Sequence, residues 1–156
     1  MIQNIETYKD LIKKFEYDFD RFIKSSHAFD LMDCIHSLNA LPEWIKNDSK
    51  ADSQLIADAE AIEEIMKGNG FVFDPTQLDK DINQRLRLIR MICNHVKHKN
   101  KGANIPVIKS KEGNTFRMSL PAKFGSFIAI GDTELDAEAI LQSVYDFWVN
   151  LLKKYV

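Results

Sequence analysis

Apolar residues recur at every third or fourth position through most of this chain, a spacing that commits it to helices packed on one another. Ile5, Tyr8, Leu11, Ile12, Phe15, Phe19, Phe22 and Ile23 follow that rhythm, and Lys9, Asp10, Lys13, Lys14, Asp18 and Asp20 fall mostly between them. The first segment therefore predicts an amphipathic helix. Ser25 and Ser26 offer hydroxyl caps to a second helix whose Ala28, Met32, Ile35 and Leu38 face the core. Pro42 lacks an amide donor and clashes with the preceding turn, so 41–45 predicts a kink or a fresh short helix, closed by Asn47-Asp48-Ser49. From Ser53 to Lys67 a third helix reads through Leu55, Ile56, Ala59, Ile62, Ile65 and Met66, and stops at Gly68-Asn69-Gly70, where positive φ is cheap. Asp74-Pro75-Thr76 predicts the start of a long fourth helix from about Thr76 to His98.

The period then changes. Lys101-Gly102-Ala103-Asn104 ends the helix, and IPVIKS and TFRMSL flank the turn-like Glu112-Gly113-Asn114, which predicts a hairpin. Phe127 to Ile130 predicts a third strand, and Gly131-Asp132-Thr133 leads into a final helix through Ile140, Val144, Phe147, Trp148, Leu151, Leu152 and Tyr155. The expected fold is mainly α: a helical bundle of about five helices with a small antiparallel β-hairpin or sheet insert before the C-terminal helix. No linker or internal repeat divides the chain, so residues 1–156 predict a single helical domain with its β-insert at about 104–131.

Composition narrows the function classes. With 45% hydrophobic and 28% charged residues, wholesale disorder is disfavoured. A formal charge of -2, from 21 basic and 23 acidic residues, gives no long-range field for a polyanion, so any nucleic-acid contact must be a local basic patch. Cys34 and Cys93, the only cysteines, sit among apolar helical residues as a reduced thiol does. The first residues have no signal-like apolar run, and no window approaches the ~20 apolar residues that cross a bilayer. A cytoplasmic protein with no membrane partner is the expectation.

Chemistry concentrates on the fourth helix. At about 100° per residue, Ile82, Leu86, Ile89, Ile92, Cys93 and Val96 form one broad face, predicted to be core. Arg87, Arg90, Asn94, Lys97 and His98 gather opposite with Met91, and His95 lies towards the edge beside Leu88. Arginine and lysine hold phosphate, asparagine fixes a ligand by paired hydrogen bonds, and imidazole exchanges protons near neutral pH, so the set suits a phosphodiester. An ordinary solvated face has the same composition, and that reading stands beside the first.

Arg90-Met91-Ile92-Cys93-Asn94-His95, an arginine and a histidine separated by four residues near the end of a long helix, resembles the signature of the HEPN superfamily of helical nucleotide-binding domains. Many competent members are metal-independent ribonucleases whose motif arginine and histidine form the active site, commonly where two bundles meet in a dimer. The resemblance implies catalytic roles for Arg90 and His95, with Met91 standing where active members often carry a polar residue. Around them, Arg87, Asn94, Lys97 and His98 are the candidates for binding phosphate or nucleic acid. A second resemblance, carried by FDLMDCIHSLNALPEWI, RMICNHVKH and AILQSVYDFWVNLL, is to an uncharacterised group of bacterial helical proteins. There a histidine on an early helix accompanies an Asn-x-x-Lys-His run, matched here by His36 with Asn94, Lys97 and His98. His36 is thus an additional candidate, with a hydrogen-bonded packing role as its alternative.

Other features are structural in this reading. Cys93, His95 and His98 diverge around their helix and have no second ligand cluster, so no metal and no cofactor is expected. Glu60, Glu63 and Glu64 predict a solvated face, Gly68-x-Gly70 lacks the context of a phosphate loop, and no nucleophile elbow is present. Trp44, Trp148, Phe71, Phe73 and Tyr155 predict core or interface. Two functions remain: an RNA- or nucleotide-directed protein of HEPN type, acting as a metal-independent ribonuclease if it is an enzyme, or a non-catalytic interaction module. In the second, the C-terminal helix and β-insert form a homodimer or partner surface.

Overall fold

Thr7 and Asp10 cap one another at the start of the first helix, the Thr7 hydroxyl accepting from the Asp10 amide at 3.3 Å and the Asp10 carboxylate from the Thr7 amide at 3.0 Å. In this computed structural model, which describes residues 4–98, 106–110, 126–130 and 132–156, the helix is α1, Tyr8–Ser25. Lys97, His98, Val107, Lys109 and Ser110 are described by their backbone alone. Ile5 precedes the cap and is exposed rather than packed in the expected stripe.

Only two residues join α1 to α2, Ala28–Lys46. Ser26 takes a left-handed conformation, φ 53°, and donates its amide back to the Phe22 carbonyl at 2.7 Å. The cap of α2 is His27 instead of either serine: its Nδ1 accepts from the Phe29 amide at 3.1 Å. Pro42 does not interrupt α2, which runs through it to Lys46. Pro42 itself is buried in a stretch where Leu38, Leu41 and Ile45 lie deep in the core. Burial of that face offsets the lost backbone hydrogen bond.

The third helix, α3, is Ser53–Lys67, the expected span, and Gly68 closes it at φ 81°. The fourth, α4, is Ile82–His98 and starts later than Thr76. A 3-10 turn at Pro75–Gln77 comes first, and Leu78 is buried after it. Asp81 then caps the real helix, its carboxylate accepting from the Asn83 amide at 2.9 Å. Arg85 fastens the intervening loop by donating to the carbonyls of Leu78 at 2.5 Å and Asp79 at 2.9 Å.

Strands β1, Val107–Ser110, β2, Ser126–Ile130, and β3, Thr133–Asp136, form an antiparallel sheet in that order. Val107 pairs with Ala129, and Ile130 with Thr133. The expected strand TFRMSL and its Glu112-Gly113-Asn114 turn lie outside the described residues. β3 stands where a lead into the last helix was expected, and it feeds directly into α5, Ala137–Leu152. Asp136 serves both elements, as the end of β3 and as the cap that accepts from the Ala139 amide at 3.2 Å. A last 3-10 turn, Lys153–Tyr155, returns the chain to α3, where the Tyr155 hydroxyl donates to Asp58.

One apolar cluster joins the five helices and β2, with Phe15, Leu31, Ile35, Ile45, Leu55, Met66, Leu86, Ile128, Leu141 and Trp148 almost wholly enclosed. Trp148 is core, as its spacing predicts, whereas Trp44 and Phe147 are only half-buried. Two acidic residues expected on solvated faces are buried. Asp18 is enclosed by Lys14 and by Arg21, which also reaches Asp30 at 2.7 Å and Asp33 at 2.6 Å across the α1–α2 contact. Glu63 is held between Lys46 at 3.1 Å and Lys67 at 2.9 Å. Among the described residues no helix is long and apolar enough to cross a membrane.

Candidate functional site

The polar side of α4 is not one uniform stripe. Arg87 is partly buried and donates Nη1 to the carbonyl of Met66 at 2.7 Å, placing a cation at the C-terminal end of α3 where the helix dipole favours it. Gly68 makes room for it: a Cβ there would meet the Arg87 guanidinium at 3.0 Å. Burial, and then the neighbouring charge of Arg90, pull the Arg87 guanidinium below its ordinary value. Arg87 thus caps a helix through one nitrogen of its guanidinium.

Arg90 is half-buried, with its Nε shielded and lacking a partner among the described residues. Asn94, one turn on, is also half-buried. The side chains of Lys97 and His98 fall outside the description. Arg90 and His95 are five positions apart, so the two leave α4 roughly 140° apart. One chain therefore does not bring this arginine and histidine together on one flank.

His95 instead shares a groove with His36. Both line a groove of about 510 Å³ bounded by α2, α4 and β1. Phe29, Met32 and Asp33 of α2 form one wall, Ile92 and Val96 of α4 the second, and Pro106 and Ile108 the far side. The Nδ1 of His95 is shielded and has no partner among the described residues. Val96, expected in the core face of α4, is 55% exposed because the last turn of that helix borders this groove instead of the interior. Phe29 is 76% exposed.

Behind the groove, the Sγ of Cys93 lies 3.8 Å from Nδ1 of His36 and 4.0 Å from the Ile35 carbonyl. Burial pushes the Cys93 thiol up to about 11, against the opposing pull of Arg90. Cys34, also buried, is pushed up to about 12. Both therefore stay protonated at neutral pH and serve as packing groups rather than activated nucleophiles. Among the described residues no three His, Cys, Asp or Glu side chains converge as ligands for a metal ion.

Sequence reasoning missed Phe29 and Asp33, while Met32, expected to face the core, packs against it and lines this groove as well. A signal was present. Phe29, Met32 and His36 recur at helical spacing beside the core stripe of Leu31, Ile35 and Leu38, giving α2 a second apolar face. Comparison with protein-family models, curated proteins and solved structures finds no match for this chain.

Proposed function

We propose that this chain is an RNA- or nucleotide-directed protein of HEPN type, working at the groove between α2 and α4 as a metal-independent ribonuclease. The observation that carries this reading is that His36 and His95, from separate helices, line one groove. Two imidazoles in one groove suit a reaction in which one removes a proton from a ribose hydroxyl and the other protonates the departing ribose oxygen. The hydroxyl oxygen bonds to phosphorus, the bond to the leaving oxygen breaks, and a cyclic phosphate and a free hydroxyl result. Arg90, on the other flank of α4, would stabilise the phosphate charge where two copies meet along that helix, as the HEPN resemblance implies. Single-stranded RNA should be cleaved without added metal, and His95→Ala or Arg90→Ala should abolish cleavage while preserving the thermal melt. Unchanged activity in His95→Ala, or a strict need for a divalent ion, would reject the mechanism.

The apolar exposure of Phe29 and Val96 favours a second reading, in which the groove is the docking surface of a non-catalytic interaction module. Absence of RNA binding, together with a concentration-dependent dimer by light scattering that Val96→Glu dissolves, would select it.

A further inference from the structure

We propose that the α2 wall of this groove seats an unpaired nucleobase on Phe29 and Met32, with the attached phosphate between His36 and His95, so that the ligand class is single-stranded nucleic acid. The proposal rests on the nucleotide reading above and names which form of nucleotide fits.

Phe29 is exposed at the capped start of α2. Its amide donates to Nδ1 of His27, and the two rings meet edge to face with centroids 4.8 Å apart and planes at 66°. The ring thus lies exposed at the start of α2 and lines the groove with Met32, Pro106 and Ile108. A bare phosphate has no use for that apolar surface. A purely apolar partner would offer the imidazoles of His36 and His95, which line the same groove, no polar contact. A nucleotide meets both demands: the base stacks on the aromatic ring, and its phosphate accepts hydrogen bonds from imidazole. In a duplex the base faces are already stacked on one another and cannot enter.

Asp33 lies on the same wall and opposes a phosphate, although Arg21 at 2.6 Å meets its charge. This gives the proposal a variant that should gain affinity.

The test is fluorescence anisotropy with an end-labelled oligouridylate whose ribose hydroxyls are methylated to prevent cleavage, compared with the same strand annealed to oligoadenylate. The single strand should bind at least about tenfold more tightly than the duplex, Phe29→Ala should weaken it on the order of tenfold, and Phe29→Trp should retain it. Asp33→Asn should bind more tightly than the parent. Because Phe29 lies outside the core, its variants should keep the parental melt, which circular dichroism checks. Parental affinity in Phe29→Ala, or equal affinity for the duplex, overturns the base seat while leaving the functional reading in place. Failure of the parent protein to bind either strand overturns both.

Discussion

Glu63 shows how far a single side chain can depart from the face its spacing assigns. Burial alone would push its carboxyl up, but hydrogen bonds from Lys67 and Lys46, and their charge, outweigh it and hold the group below its ordinary 4.5. A carboxylate depressed in the folded state adds stability that is fully present above its unfolded value and is lost as pH falls through the folded one. At neutral pH, Glu63→Gln should therefore melt below the parent. That difference should shrink as pH falls below about 4.5 and through the lowered folded value, where both chains come to carry a neutral group there. Melts across that range check it, and a difference independent of pH would assign the effect to packing instead of charge. Arg87 is a parallel case, a cation spent on the Met66 carbonyl.

At the scale of elements, the boundary of α4 depends on which of two acidic caps wins. Asp74 caps only the short 3-10 turn, and Asp81 starts the helix that carries His95 and Arg90. Asp81→Ala should cost about 1 kcal/mol, since it leaves the Asn83 amide without its acceptor. A denaturant midpoint unchanged by Asp81→Ala would show that Arg85 and Leu78 hold this end of α4 without the cap. β3 escapes the periodicity argument because it has only four residues, Thr133–Asp136, and its last one doubles as the α5 cap.

For the whole molecule, α1 and α5 close on each other through aromatic packing. The Phe15 ring stacks with Tyr145 at 5.2 Å and Phe19 at 5.4 Å, and Phe15 is 2% exposed. Phe15→Ala should lose about 3–5 kcal/mol. Phe147, equally apolar and in register with α5, is only half-buried against Trp148, so Phe147→Ala should lose roughly 1–2 kcal/mol. Equal losses in urea titrations would mean that Phe147 is as deeply buried as Phe15.

The five helices, the limits of α3, antiparallel strands before α5 and most of the buried face of each helix were legible in the sequence. Those features follow from spacing and capping within one segment, which neighbouring residues settle locally. His36 and His95 were legible as well, through the two resemblances and the polar side of the fourth helix. The packing of one segment on another decided that these two share a groove and that Arg87 closes α3. It likewise decided that α2 runs through Pro42 and that Val96 and Phe29 face outward. Each of these depends on what another segment places opposite the residue: an apolar spacing says that a face will be covered, but the geometry of the neighbouring helices determines which of α2's two faces the core takes.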